Sequence, residues 1–195
     1  MQTTISNEFL TVTIDTHGAE VVSVKNSKGE ELIWQADPTI WDRHSPVLFP
    51  WAGRLANGEL IHNGKHYSGG QHGFIRDLEH ILKQNNGISA QLMFRADEET
   101  KTLRFPFDFE FTSVFTLDGH TLHHEVHVKT AVTRICGVEL AFIRDLIFRL
   151  MKTTQLRIMR FGLSKRKAQS FWIVFLMVCS LEKVFINGKI RRRFH

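Results

Sequence analysis

The sequence has little cysteine, no long apolar segment and no targeting signal. Two cysteines, Cys136 and Cys179, occur among 195 residues, and their number and spacing support neither a disulfide framework nor a metal site. The longest apolar run, residues 171–177, is much shorter than the roughly 20 residues that a membrane-spanning helix needs. Residues 1–8 contain no basic or apolar region of a secretory signal. We therefore predict a cytoplasmic protein with no membrane partner and no metal.

Acidic residues and prolines are scarce in the last third of the chain. Residues 1–129 carry 11 Lys and Arg against 17 Asp and Glu, a net charge of −6, and they contain all four prolines. Residues 130–195 carry 14 Lys and Arg against 3 Asp and Glu, a net charge of +11. The basic charge of the whole chain is thus an average over two unlike segments, and by itself it does not predict nucleic-acid binding.

The first segment alternates apolar and polar residues between Gly, Asn and Asp turns. Its strongest hairpin signal is Asn63-Gly64, and three aromatic residues, Phe107, Phe109 and Phe111, fall on one face of a later strand. No stretch of this segment has a helical stripe. The other hairpin turns are predicted at residues 85–87 and 118–119, and further turns at residues 16–18 and 26–29. The strands are predicted at residues 9–14, 19–24, 31–34, 58–62, 65–67, 80–82, 88–94, 107–117 and 121–128.

Short strands separated by close turns are typical of an antiparallel all-β domain, built as a sandwich or a barrel. Such domains often run to roughly 200–250 residues, whereas the patterned segment ends near residue 129. We therefore predict an incomplete antiparallel β-sandwich in residues 1–129 and an irregular tail in residues 130–195.

Two loop segments combine polar and aromatic side chains with glycine. Residues 45–58 form a long connection that is too apolar for a solvated loop, and residues 69–77 follow shortly after it. Binding residues concentrate on loops that a rigid sheet holds in place. We therefore predict a binding site at these two loops.

The candidate residues of this site are donors and flat rings. Arg54, His72 and Arg76 supply directional hydrogen-bond donors for hydroxyl or anionic oxygens. Trp51 and Phe74 supply faces against which the C–H face of a sugar can lie. The residues alone leave a second interpretation open, in which the arginines are ordinary surface or ion-pair residues and the histidine belongs to a turn.

The two loops resemble those of a known family. The strings Leu48-Phe-Pro-Trp-Ala-Gly-Arg-Leu-Ala-Asn-Gly58 and Gln71-His-Gly-Phe-Ile-Arg-Asp77, separated by an Asn-Gly hairpin, are similar to the aldose 1-epimerase (galactose mutarotase) family, in particular its small bacterial branch. The strings His17-Gly-Ala-Glu20 and Leu32-Ile-Trp34 are similar too, so the resemblance covers about residues 5–129. It implies a galactose mutarotase-like β-sandwich that interconverts the α and β anomers of free hexoses without a cofactor.

The resemblance also implies which residues hold the sugar. Arg54 and His72 match the family's sugar-contacting arginine and histidine, and His72 is a possible auxiliary in catalysis. Phe74, Arg76 and Asp77 belong to the same motif and are expected to line the substrate site.

The same resemblance indicates that the proton-transfer groups of the family are missing from this sequence. Family members open and reclose the sugar ring with a histidine acid, in a Gly-x-His-Pro-x-Phe motif, and a glutamate base near the C-terminus. This sequence has no such motif, and its glutamates after residue 129, Glu139 and Glu182, lie in segments that match nothing. General acid–base catalysis needs both groups. We therefore predict that the chain as written is catalytically inactive.

The genetic code offers a reason for the missing groups. If one base was lost near Lys129, each original codon consists of the last base of one present codon and the first two bases of the next. Read in this way, residues 142–150 allow the string His-Pro-Gly-Phe-Asn-Ile-Pro-Leu, and residues 132–136 allow Asp-Thr-Asp-Met. The codons for Lys129 and Thr130, AAR and ACN, place a run of adenines at the break. The tail is therefore predicted to be out of frame.

Other functions stay open at this stage. The chain could be a relative of hexose-6-phosphate 1-epimerases, with Arg54 and Arg76 as phosphate ligands, or a carbohydrate-binding module without catalysis. The basic clusters at residues 165–167 and 191–193 could bind nucleic acid or anionic lipid. An apolar run without an amphipathic period separates these clusters and argues against that function. We predict a small aldose sugar as the partner and no nucleic acid.

Overall fold

The computed structural model describes residues 1–130, 141–142, 156–163 and 173–179. Besides strands, these ranges contain a short helix, α1 (Glu98–Leu103), and 3₁₀ turns at Ala56–Gly58 and Ile75–Asp77. The strands are β1 (Gln2–Ser6), β2 (Leu10–Asp15), β3 (Glu20–Asn26), β4 (Val47–Leu48), β5 (Glu59–His62), β6 (Lys65–Ser68), β7 (Ile81–Asn85), β8 (Ser89–Arg95), β9 (Phe109–Asp118), β10 (Thr121–Thr130), β11 (Ala141–Phe142), β12 (Leu156–Leu163) and β13 (Ile173–Cys179).

Two antiparallel sheets form the framework. One has the strand order β1-β2-β3, and the other has the order β10-β9-β8-β7. Smaller antiparallel pairs are β5–β6, β4–β11 and β12–β13. The predicted all-β antiparallel sandwich is confirmed. None of the helices in the described ranges is long and apolar enough to cross a membrane.

The first core cluster lies between the two main sheets. Because side chains alternate across a strand, each sheet turns one apolar face inward. Val12 and Ile14 of β2 are fully buried, and they belong to the same cluster as Leu92 of β8 and Phe115 of β9. Full burial of each such side chain stabilises the fold by about 1.5–3 kcal/mol. This cluster is what joins the sheets face to face.

A second core cluster attaches the two candidate loops to the larger sheet. Phe109 and Phe111 of β9 share it with Phe49 of the first loop and with Phe74 and Ile75 of the second. The rings of Phe49 and Phe111 lie with centroids 5.1 Å apart, a spacing typical of favourable aromatic pairs. The apolar residues of both loops are therefore packed into this core.

The predicted hairpins all form. At Asn63-Gly64 both residues have positive φ, 50° and 75°, as the two-residue turn between β5 and β6 requires. β7 and β8 pair around the turn at Asn86-Gly87, and β9 and β10 pair around Gly119. Of the three phenylalanines predicted on one strand face, Phe109 and Phe111 are buried in β9, whereas Phe107 precedes the strand.

The predicted strand at residues 31–34 is wrong. Glu31 makes only an isolated bridge to Lys25, and its carboxylate accepts hydrogen bonds from the N–H of Val24 (2.7 Å) and from the hydroxyl of Ser23 (2.6 Å). The Glu31 side chain thus takes up one backbone donor, the N–H of Val24, that a continuing strand would bond with its own backbone. The prediction also omitted β1 and α1; α1 is capped by Asp97, which accepts from the N–H of Thr100 at 2.8 Å.

Part of the predicted irregular tail is paired. β12 and β13 form an antiparallel ribbon, and β13 lies next to β10. The β-branched and aromatic residues of Ile173–Cys179 favour strand formation whatever their origin. The basic clusters and the remaining tail residues, with Cys136, Glu139 and Glu182, lie outside the described residues.

The buried imidazole of His80 makes the fold sensitive to acid. His80 is 2% exposed, and burial lowers its pKa from 6.5 to about 4. Between these two pH values the unfolded chain binds a proton that the folded chain does not, so stability falls as the pH falls. The difference of 2.5 pKa units corresponds to about 3 kcal/mol.

We therefore expect the free energy of unfolding in urea to drop by roughly this amount between pH 7 and pH 4. In His80→Gln the amide can replace the Nε2–H donor to the Ile75 carbonyl, 3.2 Å away, but cannot titrate. The variant should lose most of this pH dependence. An equally steep decline in the variant would contradict the assignment to His80.

Candidate active site

A buried carboxylate of β3 holds the backbone at the start of the first loop. Glu20, at the start of β3, is 6% exposed, and its Oε1 accepts hydrogen bonds from the backbone N–H groups of His44 (2.7 Å) and Ser45 (2.8 Å). Backbone donors in a packed loop need such partners because water does not reach them. Glu20 thereby fixes the start of the segment that carries Trp51 and Arg54.

Gly73 brings the two loops into contact. Phe49 and Gly73 form a parallel bridge, and the N–H of Phe74 donates to the carbonyl oxygen of Phe49 at 2.9 Å. A Cβ atom at position 73 would lie 2.0 Å from that oxygen, and the φ of Gly73 is 73°. Only glycine combines the required backbone conformation with such a close approach. The two loops predicted to form a site therefore do lie together.

The aromatic residues form the floor beneath the loops. Phe74 is 2% exposed and packs against Trp51, with ring centroids 6.1 Å apart, and also against Phe105 and Phe109. The Trp51 indole is 6% exposed and donates through Nε1 to the carbonyl of Gly70 at 2.8 Å. The structure thus places Phe74, predicted as a sugar-facing ring, in the core under the second loop.

His72 is held by the backbone of the first loop. Its N–H donates to the carbonyl of Gly53 at 2.6 Å, and the N–H of Gly53 donates to Nδ1 of the imidazole at 2.8 Å. The backbone of His72 has a φ of 67°, and its Nε2 lies 3.1 Å from the Gln71 side-chain amide. Partial burial and then the charge of Arg76 lower the pKa of His72 below its ordinary value.

Arg54 follows Gly53 directly and is exposed. Within the described part of the chain its guanidinium forms no hydrogen bond or ion pair, so all five of its donors remain available to a ligand. Gly53, the residue before Arg54, is bonded to His72 at two points, so the backbone at Arg54 lies next to the second loop. A shared role of Arg54 and His72 in sugar binding stays a prediction.

Arg76 and Asp77 make their contacts within the protein. The Arg76 Nη2 donates to the carbonyl of Gln71 at 2.9 Å, and Asp77 is paired with Arg43 through a short contact to Nη2. Arg43 also donates through Nη1 to the carbonyl of Arg76 at 3.2 Å. Arg76 thus holds the second loop together internally, and Asp77 ties that loop to Arg43, two residues before the first loop.

Sequence reasoning missed Arg43 and Gly53 as parts of this arrangement. Arg43 lies in a stretch without strand or motif signal, and Gly53 acts through its backbone. The described residues contain no group of three or more His, Cys, Asp or Glu side chains placed to hold a metal ion.

Solved structures with this fold are known. The chain is similar to the galactose mutarotase related enzyme from Lactobacillus acidophilus, with 31% identity and a TM-score of 0.69 over 93% of this chain and 65% of that chain. A galactose mutarotase-like protein from Lactobacillus casei has the same TM-score of 0.69 at 21% identity, over 91% of this chain and 68% of that chain. The fold is therefore that of the galactose mutarotase-like β-sandwiches.

The sequence comparisons give the family. The profile described as Aldose 1-epimerase matches residues 1–142. The plasmid-encoded protein LacX of Lactococcus lactis subsp. lactis is 33% identical over 134 residues, which are 66% of this chain and 44% of that protein. The chain thus spans less than half the length of this relative. It belongs to the aldose 1-epimerase family.

Proposed function

We propose that this chain binds a free hexose at Arg54 and His72 in the cytoplasm and, as written, does not interconvert the anomers. One observation carries the proposal: two hydrogen bonds join His72 to Gly53, the residue before Arg54, whose guanidinium is unpaired within the described part of the chain. Both side chains can donate hydrogen bonds to the oxygen atoms of a ligand. Membership of the aldose 1-epimerase family supports a small aldose as the ligand.

The catalytic part of the proposal rests on the demands of the reaction. Anomer exchange needs a base to take the proton of the anomeric hydroxyl and an acid to protonate the ring oxygen, both within hydrogen-bond reach. The sequence lacks the family's His-Pro-x-Phe string and any late glutamate in a matching segment. A sugar held by Arg54 and His72 would therefore be bound in a site that lacks its two proton-transfer groups.

We attribute the missing groups to a lost base near the codon for Lys129, which leaves residues 130–195 out of frame. The match to the family profile extends past the proposed break and ends at residue 142, where the shifted reading of residues 142–150 allows the His-Pro-Gly-Phe string. The change in net charge from −6 in residues 1–129 to +11 in residues 130–195 also supports a change of frame.

Removal of either donor should weaken sugar binding. We expect Arg54→Ala to lower the affinity for D-galactose about tenfold or more, because a hydrogen bond to a charged group contributes about 1.5–3 kcal/mol. His72→Asn should have a similar effect, since asparagine tolerates positive φ and its Oδ1 can accept from Gly53, but it has no Nε2–H donor.

The measurement is titration of D-galactose, followed by protein NMR shifts. Arg95→Ala, which removes an exposed arginine from the end of β8, is the matched control and should bind as the parent does. Unchanged affinity in both site variants would show that the sugar does not bind there.

A hexose 6-phosphate is the second candidate ligand. Arg54 is the exposed, unpaired guanidinium at the two loops, and Arg43 and Arg76 add positive charge nearby that Asp77 and Glu20 partly balance. Such an excess of positive charge suits a phosphate group. Competition by inorganic phosphate against galactose binding distinguishes the two ligands, since a neutral sugar site should be insensitive to millimolar phosphate.

A further inference from the structure

The hydrogen bonds of His72 define its protonation state. Because the backbone N–H of Gly53 donates to Nδ1 at 2.8 Å, that nitrogen must present a lone pair and cannot carry a proton. In a neutral imidazole the proton then sits on Nε2. The Gln71 amide, 3.1 Å from Nε2, accepts this proton when its oxygen is turned toward the ring. Gln71 is exposed, so an oxygen atom of a ligand can take its place.

Arg76 acts on the same imidazole through its hydrogen bond and through its charge. Its Nη2 donates to the carbonyl of Gln71, the residue before His72, and thereby holds the turn that gives His72 its positive φ. Of the charged groups in the described part of the chain, Arg76 is the one whose field lowers the pKa of His72. A second proton on His72 would have to displace the Gly53 hydrogen bond and approach this positive charge.

The surroundings keep the charge of Arg76 only partly compensated. Oδ2 of Asp77 is 3.9 Å from Nε, and the other oxygen of Asp77 is engaged by Arg43. Glu20, the second carboxylate whose field acts on Arg76, also accepts backbone hydrogen bonds from His44 and Ser45. The Nε of Arg76 is buried and has no hydrogen-bond partner among the described residues. A buried unpaired donor costs stability and calls for an explanation. Its neighbours hold the residue in place: Arg43 donates to its carbonyl oxygen, and the backbone of Gly18 comes so close that a Cβ atom there would lie 2.5 Å from the same oxygen.

We propose that Arg76 is a positioning residue that keeps His72 as the neutral Nε2–H tautomer, so that this site recognises an acceptor oxygen of its ligand and continues to do so in mildly acidic solution. The claim that a sugar oxygen is the acceptor rests on the proposed function, whereas the protonation state of His72 does not. A neutral imidazole of this kind donates a hydrogen bond but cannot deliver a proton as an imidazolium acid. His72 therefore serves recognition, and the family's chemistry requires a separate acid.

The test is long-range ¹H–¹⁵N NMR of the imidazoles in the ligand-free full chain, recorded as a function of pH. We expect Nδ1 of His72 to be unprotonated and Nε2 to be protonated at neutral pH. In Arg76→Gln, which removes the charge, His72 should take up its second proton at a higher pH than in the parent. In Arg76→Lys, which keeps the charge without the planar guanidinium, His72 should take up its second proton at nearly the same pH as in the parent.

Two further features separate this effect from a loss of structure. If Arg76 had a purely structural role, both Arg76 variants would shift the titration of His72 alike. The exposed His66, paired with Glu59, reports in the same spectra whether the fold is intact. Lys28→Gln, a charge removal in an exposed turn, should leave the His72 titration unchanged. A His72 that carries its proton on Nδ1, or an unchanged titration in Arg76→Gln, would overturn the proposal.

A second experiment compares the affinity for D-galactose at pH 7.5 and pH 5.5. The parent should bind with an affinity that differs less than twofold between the two pH values, whereas Arg76→Gln should lose about fivefold on acidification. A strong loss of affinity in the parent would overturn the proposal. If the tautomer and the titrations are as expected but galactose perturbs no His72 resonance, the role of Arg76 is supported and the proposed sugar site is refuted.

Discussion

A single base added in the adenine run at the codons for Lys129 and Thr130 should restore mutarotase activity to the gene product. The restored frame allows His-Pro-Gly-Phe where the family has its acid, while Arg54 and His72 are already encoded upstream. A general acid and a general base each contribute about 10²–10⁴-fold to a rate. We therefore expect the repaired product to convert freshly dissolved α-D-galactose at least about 10⁴-fold faster than the chain as written.

The repaired product also has matched controls. Recoding the same stretch with synonymous codons but without the added base should give no activity. Replacing the histidine of the restored His-Pro-Gly-Phe string by asparagine should remove the activity again. An early stop codon in the repaired frame would contradict the hypothesis. So would a full-length product that acts neither on common aldoses nor on their 6-phosphates.

Alanine at position 73 should unfold the site and much of the second core cluster. Gly73→Ala places a Cβ atom 2.0 Å from the carbonyl oxygen and 2.3 Å from the carbonyl carbon of Phe49, both of them backbone atoms. The left-handed backbone of an alanine adds about 1–2 kcal/mol, and forced displacement of packed atoms adds about 1–3 kcal/mol. We expect a loss of about 3 kcal/mol or more in the free energy of unfolding, measured in urea, together with the loss of galactose binding.

Gly70→Ala is the control for this change. Its Cβ atom would meet only the carbonyl oxygen of Gly73, at 3.6 Å, and Gly70 is exposed with no positive φ. Its free energy of unfolding should stay within about 0.5 kcal/mol of the parent. Equal unfolding midpoints for the two variants would show that the bridge between Phe49 and Gly73 is not what joins the loops.

The fold could be predicted where local chemistry decides the structure. Asn63-Gly64 allows the positive φ values of a two-residue turn, and this fixes the register of β5 and β6. The sandwich follows from several such hairpins with one apolar face each. The strand predicted at residues 31–34 failed because the carboxylate of Glu31 captured donors of β3, a tertiary contact that alternation does not report.

The candidate site could be predicted only in part. The residue types of Arg54 and His72, with the resemblance, indicated a sugar site, and in the structure His72 is bonded to Gly53, the residue before Arg54. The roles of Phe74 and Asp77 depend on their contacts in the folded chain: Phe74 packs against Trp51, and Asp77 forms an ion pair with Arg43. Backbone contacts and distant ion pairs have no periodic signal, so the sequence could not assign these roles.

The most direct test of the account is a single ¹H NMR experiment on the chain as written with freshly dissolved α-D-galactose. Saturation transfer from protein to sugar reports binding, and the anomer ratio over time reports catalysis. We predict saturation transfer to the sugar and conversion of the anomers at the rate in buffer alone, because the chain keeps the residues that hold the sugar and lacks those that move its protons. Absence of saturation transfer, or a protein-dependent acceleration that His72→Asn removes, would contradict the account.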